Sequence, residues 1–302
     1  MIALNDWTGR VRRTLRLLAG VALAGCSSAT STTGGPNAPT PEPGAPNPGA
    51  PAPAGGITYS APRDAIYAFE RHDSLTIQLP GGASQQQLLD RTAYLRVALA
   101  PDTAGYVATI VLDSIQAAIG GVPAAPDSVI PARGTRWTAL LTREGRLSSL
   151  KADRSTTIGD QLGGNLRNLF PTLPAGGAKT GMEWTDTSEV PLRIDAFDAT
   201  ERSLTTYRSA DSDDPQAKKA IRLESTTSYQ RRGKGTQYDQ QLEMAGSGTR
   251  RAVHYMNPDG TLASARGSDQ TEITVTIPAV GQTVPVKQAG TFSIRSLRPS
   301  KR

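Results

Sequence analysis

Ser148 and Lys151 stand in the run SSLK, Lys179–Gly181 spell KTG, and Tyr255–Asn257 spell YMN. These are residue types of serine acyl transfer, in which a lysine one helical turn beyond the serine faces its hydroxyl. That geometry requires Ser148 at the start of a helix, where positions three apart share a face. SSLK instead follows an acidic-Gly turn and reads as a strand, and KTG precedes YMN, so the match is one of letters. Two histidines are present, His72 in ERHDS, beside an expected turn, and His254 in AVHYM, in an expected strand. A catalytic zinc usually takes three protein ligands, so both read as structural or solvated and no metal is called for. SADSDDP, Ser209–Pro215, offers Asp211, Asp213 and Asp214 to a calcium ion. It lacks the glycine and distal glutamate of an EF-hand loop and reads as a solvated turn. Glu70 and Asp73 are of the right type for acid and base, but their separation in space is not legible from sequence. No cofactor is implied.

Cys26 is the single cysteine of the 302 residues. One thiol excludes a disulfide framework and cysteine ligation of metal. Before it come Arg12, Arg13 and Arg16 and a short apolar run, Leu17 to Gly25, too short for the ~20 residues that span a bilayer. Basic cluster, apolar run and small residues in that order read as a signal peptide. Leu23, Ala24, Gly25 and Cys26 resemble the lipobox of bacterial lipoproteins. The resemblance implies diacylglyceryl transfer to the Cys26 thiol, cleavage before it, and a membrane anchor at the new N-terminus, since each buried methylene adds ~0.8 kcal/mol of membrane affinity. The polar stretch MIALNDWTG ahead of the arginines is unusual for a leader, and a start at Val11 would give a more ordinary one. Ser27 follows the cysteine where inner-membrane retention favours aspartate, which points to the outer membrane and the periplasm.

The chain divides into residues 1–25, the signal peptide; 26–56, the lipidated cysteine and a linker; and 57–302, a globular domain. Eight of the 22 prolines fall between Pro36 and Pro53. With no apolar period and almost no charge, this tract cannot bury enough surface to offset chain entropy and is expected to be disordered. Its X-Pro repeats favour extended polyproline II, a spacer between membrane and domain. A ligand for a proline-recognition module is the alternative. The formal charge of +6 owes half its value to the leader, and the mild remainder is no footprint for nucleic acid. The clusters AKKAIR, RRGK and RSLRPSKR could face anionic lipid or glycan; as ordinary charge runs they read as wet faces and a tail.

From Ile57 the dominant signal is period two. Leu75, Ile77 and Leu79 alternate with polar residues, as do Leu95, Val97 and Leu99, and Ile273, Val275 and Ile277. Similar runs occur near Tyr106–Leu112, Trp137–Leu141, Tyr238–Met244, Arg251–Tyr255 and Phe292–Leu297. Such alternation predicts half-buried strands, roughly ten to twelve, joined mostly by hairpins. NPDG, Asn257–Gly260, predicts a type I turn followed by a left-handed residue. One segment breaks the pattern. Ile158, Leu162, Leu166, Leu169 and Phe170 form a helical stripe, capped by Thr156 or Thr157 and ended by Pro171. The segments from Leu141 and from Tyr255 echo one another, with Gly145 aligned to Gly260. Two similar β-units or merely shared turn chemistry would both produce this.

The expected fold is therefore mostly β, a large curved antiparallel sheet or half-barrel with one amphipathic helix across its concave face. With the lipobox and tether, this architecture is similar to the lipoprotein-localisation group of folds, the half-barrels of the LolA, LolB and LppX families, over roughly residues 57 to 297. The resemblance implies an apolar or lipid-like ligand in a hollow lined by Ile158, Leu162, Leu166, Phe170 and Trp184. It also implies a non-enzymatic envelope protein that meets the membrane through its anchor. Fold alone does not settle function. A structural or interaction module with a filled core and an envelope partner is the first rival, and a hydrolase with a cleft of paired carboxylates the second.

Overall fold

The computed structural model describes residues 55–60, 63–79, 81–194, 197–237 and 239–297. The expected signal peptide, lipobox Cys26 and all but the last two linker residues lie outside them.

Among the described residues, twelve strands form one antiparallel sheet, curled into a half-barrel. They are β1 (Arg63–Gln78), β2 (Ser84–Asp102), β3 (Gly105–Ile119), β4 (Val122–Pro123), β5 (Arg136–Leu141), β6 (Leu147–Ala152), β7 (Glu183–Ile194), β8 (Phe197–Asp211), β9 (Ile221–Gln237), β10 (Gln240–Met256), β11 (Leu262–Ile277) and β12 (Gln282–Ser296). Their order is β6-β5-β3-β2-β1-β12-β11-β10-β9-β8-β7, with the short β4 beside β3. The chain thus runs outward from the centre in one meander, β1 to β6, and returns from the far edge in a second, β7 to β12. The two meet where β1 pairs with β12, Phe69 opposite Ile294.

Between β6 and β7 the chain crosses from one edge of the sheet to the other. This crossover carries helix α2 (Thr157–Gly163), preceded in the chain by the one-turn α1 (Pro126–Val129), and a 3-10 turn at Leu166–Leu169. The Thr156 hydroxyl accepts from the Gly159 amide at 3.1 Å, so of the two threonines that the sequence offered Thr156 is the N-cap. The predicted helix through Phe170 is shorter than expected. It ends at Gly163 with Gly164 as its cap and tightens into the 3-10 turn, as two adjacent glycines of low helix propensity favour. Its apolar stripe still packs as one face: Ile158, Leu162, Leu166 and Leu169 are buried in the main core with Ile110, Trp137 and Leu150.

Two strands are longer than their apolar pattern suggested. ERHDS is not near a turn; it lies in the middle of β1, and Arg71 and Asp73 point inward. Tyr238–Met244 and Arg251–Tyr255 look like separate runs, yet Gln240 to Met256 is one strand through Gly246 and Gly248. The glycines are there for space. A Cβ on Gly248 would stand 2.5 Å from the Tyr229 ring, and one on Gly246 would stand 2.7 Å from the Glu272 carbonyl oxygen.

The inner face of the sheet is zoned along the strands. Apolar clusters occupy both ends, the main core at one and Leu192, Phe197, Leu242, Met244, Val275 and Ile277 at the other. Between them lies a belt of buried polar side chains, among them Arg71, Asp73, Arg91, Thr227, Arg231 and Asp269. Arg71 donates from Nε to Asp73 at 2.9 Å and from Nη2 to both oxygens of Asp269, at 3.1 and 3.0 Å. Arg91 pairs with Asp73 and donates from Nη1 to Gln161 Oε1 on α2 at 3.3 Å. Two arginines and two aspartates balance, which makes the burial of these charges tolerable.

The echo between the two hairpins resolves as shared turn chemistry. Thr142 N–H bonds Arg146 O at 3.0 Å and Gly145 N–H bonds Thr142 O at 3.0 Å; Asn257 N–H bonds Thr261 O at 2.8 Å and Gly260 N–H bonds Asn257 O at 2.9 Å. The hairpins nevertheless occupy different places, one at the β5-β6 edge and one deep in the second meander.

Candidate functional site at the seam

The sheet has two free edges, β6 and β7. They approach without pairing at the β5-β6 turn, where Arg146 Nη2 meets Asp186 of β7 at 2.5 Å. At this seam the crossover residues Arg167 to Thr172 roof a cavity of about 380 Å³. β7 gives one wall, β8, β9 and β10 the floor, and Gly145–Leu147 the opposite rim.

Four side chains hold the roof to the sheet, each from a different strand or turn. Arg167 donates from Nη1 to the Leu147 carbonyl at 2.8 Å. His254 of β10 meets the Asn168 carbonyl through Nε2 at 3.1 Å. Trp184 of β7 donates from Nε1 to the Thr172 carbonyl at 3.0 Å and stacks on Tyr207 of β8, centroids 5.1 Å apart at 9°. The Thr172 amide donates to the Tyr207 hydroxyl at 3.3 Å. Because a carbonyl only accepts, His254 carries its proton on Nε2. Burial without a charged partner pushes its pKa down to about 4, so the ring is neutral near pH 7.

The wall is mixed. Leu147, Phe170, Pro171, Val190 and Tyr207 are apolar or aromatic, while Arg146, Arg167, Arg250, Asp186, Glu189 and Glu201 are charged. Each carboxylate has its own arginine: Asp186 has Arg146, Glu189 has Arg202 at 3.1 Å, and Glu201 has Arg231 at 2.6 Å. Arg231 also lies 4.8 Å from the Tyr229 ring centroid, with Arg250 at 5.6 Å. RRGK is therefore not a wet face throughout: Arg231 is 3% exposed, turned inward by strand alternation and neutralised by Glu201.

Of the side chains expected to line a hollow, Phe170 borders this cavity. Ile158, Leu162 and Leu166 are packed in the main core, and Trp184 is half-buried against it. Arg167, Arg250 and Tyr207 had no sequence signal beyond their positions on alternating strands or within the crossover. The remaining candidates disperse. Ser148 is exposed on β6, and Tyr255 and Met256 end β10, with six strands of the sheet between the two. His72 is exposed and meets Asp90 across the β1-β2 pair at 2.7 Å. Glu70 and Asp73, three apart, fall on opposite faces of β1, with Glu70 bonded to Ser293 and Asp73 inside the arginine cluster. Asp213 accepts from Tyr255 at 2.7 Å and from Arg222 at 2.6 Å, which hold its carboxyl below the usual range. Among the described residues no three His, Cys, Asp or Glu side chains gather to hold a metal ion.

A second concavity lies on the outward face. Two ladder rows cross seven strands there, Thr187 and Leu204 through Ser228, Thr249 and Gln270 to Ser74 in one, Glu189 to Thr76 in the other. They floor a polar groove of about 1030 Å³.

Fold and site together define a mostly β half-barrel with a cavity at its seam. No family model matches the chain, and no curated protein matches it. Among solved structures, lipovitellin, in a study of its lipid–protein interactions, is 11% identical with a TM-score of 0.45 over 81% of this chain. The chain spans 26% of lipovitellin. DynF from the dynemicin biosynthesis pathway of Micromonospora chersina is 15% identical with a TM-score of 0.24, covering 87% of this chain and 94% of its own. Neisserial surface protein A is 8% identical, also at 0.24, covering 76% of this chain and 96% of its own. These similarities carry no argument about what the chain binds.

Proposed function

We propose that the chain is a lipid-anchored protein of the cell envelope, held by Cys26 at the outer membrane and facing the periplasm, whose half-barrel binds a lipid-like ligand. The observation that supports it is the cavity at the seam. Its roof is tied to the sheet at four points, and it presents Leu147, Phe170, Pro171 and Val190 beside charged groups. Apolar area buried there contributes ~25 cal/mol per Å² before ordering costs. The hollow that the sequence suggested is narrower than a half-barrel allows, since the helix stripe fills the main core rather than facing a void. A ligand with a short apolar segment and a polar end suits what is left.

The test is native mass spectrometry of the full chain, isolated from bacterial membranes in neutral detergent. The expected result is a co-purifying amphiphile that an apolar dye displaces. A clean apo mass together with no dye uptake overturns the reading. The outward groove favours a second one, an envelope interaction module that works through its polar outer face. Cross-linking in intact cells separates the two: substitution of Leu204 in the groove would abolish partner capture if the second holds and leave ligand retention untouched.

A further inference from the structure

We propose that the seam cavity takes an anionic oxygen group, a carboxylate or phosphate, between Arg167 and Arg250. This rests on the reading of the cavity as a lipid-binding site and names the head group of its ligand.

Three arginines and three carboxylates line the cavity, but Glu189 and Glu201 are already neutralised by Arg202 and Arg231, which are not part of the lining. Asp186 is held by Arg146. Arg167 and Arg250 are then the surplus. Among the described residues neither has a carboxylate within ion-pair distance: Arg167 bonds the Leu147 carbonyl, and Arg250 faces the outer reach of a Tyr229 ring that Arg231 approaches more closely.

Both residues are half-buried. Desolvation of Arg167 lowers its pKa, with only Glu201 opposing, which is the mark of a cation short of a partner. Arg167 of the roof and Arg250 of the floor line the same cavity, so an anion entering it meets both. The planar fork of arginine matches carboxylate and phosphate oxygens in pairs. His254 does not compete for the anion, because its ring is neutral above about pH 4. Phe170 of the roof and Leu147 of the rim would take the hydrocarbon next to the head group.

The experiment is calorimetric titration of the full chain, in neutral detergent, with octyl phosphate, octanoate, octanol and inorganic phosphate. Octyl phosphate and octanoate should bind roughly tenfold or more tightly than octanol, as charge-assisted hydrogen bonds provide. Arg250→Gln should remove most of that preference, and Arg167→Lys should keep part of it, through charge without the fork. Equal affinity of the unsubstituted chain for octyl phosphate and octanol overturns the proposal, whether or not the variants fold. So do variants that weaken both ligands alike. Octanol binding without an anion preference removes the anion site and keeps the lipid-like ligand. Inorganic phosphate binding with no gain from the octyl chain keeps the anion site and removes the lipid-like ligand.

Discussion

Arg71 on β1 and Asp269 on β11 are bonded across β12, with Gly290 beneath them. A Cβ on Gly290 would stand 2.5 Å from Asp73 Oδ1, 2.6 Å from Asp269 Oδ1 and 2.7 Å from Arg71 Nη2. The absence of a side chain at this one position lets charges from the first and second meanders meet. Gly290→Ala is expected to cost about 3 kcal/mol or more, within the range for breaking a buried ion pair. Ala289→Ser, on the exposed neighbouring position, should stay within about 0.5 kcal/mol. Urea denaturation of both variants checks it, and equal midpoints would refute the role given to Gly290.

The same cluster separates two neighbouring acids. Asp73→Ala leaves Arg71 and Arg91 buried around a gap, which costs about 3–5 kcal/mol. Glu70→Ala, on the wet face, should be nearly neutral. Thermal melts of the two variants compare them directly; a destabilisation of similar size would show that Asp73 is not in a closed interior.

Low pH should weaken the roof of the cavity. His254 has a folded pKa of about 4 against 6.5 for an exposed ring, so between these values the unfolded chain binds the extra proton. The stability it contributes is whole above about pH 6.5 and declines as pH falls toward 4, by on the order of 3 kcal/mol. His254→Gln should flatten that part of the profile. Denaturation midpoints measured from pH 7 to pH 4 provide the readout, and parallel profiles for the two proteins would contradict it.

Two glycines with nearly the same φ test close packing against strain. Gly81 and Gly145 have φ of 89° and 88°, but nothing lies within 4 Å of a Cβ on Gly81, whereas one on Gly145 would collide with the Tyr59 ring. Gly81→Ala should cost about 1–2 kcal/mol from backbone strain alone. Gly145→Ala should cost clearly more, because Tyr59 is also fixed by its hydroxyl to the Pro171 carbonyl at 2.8 Å. Identical losses in chemical denaturation would mean that Tyr59 yields freely.

Cys26→Ser tests the anchor. The expected outcome is release of the protein from the membrane fraction into the soluble periplasmic fraction, with an uncleaved or unacylated N-terminus by mass spectrometry. Unchanged membrane association would remove the lipid from the account.

Sequence alone determined the mostly β class, a strand number of roughly ten to twelve, a threonine cap at position 156 or 157 and the NPDG turn, because each depends on neighbours two to four residues apart. The same locality misread ERHDS and the glycines of β10. ERHDS looks like a turn until Asp269 of β11, 198 positions from Arg71, and Arg91 of β2 make strand positions habitable for the charges of Arg71 and Asp73. Gly246 and Gly248 look like breaks until the Glu272 carbonyl and the Tyr229 ring occupy the space they leave. Only tertiary structure decided that the helix stripe fills the core, and that Arg167 and Arg250 face one cavity without carboxylates of their own. Charge balance is summed over atoms in space, and the order of letters does not record which atoms those are.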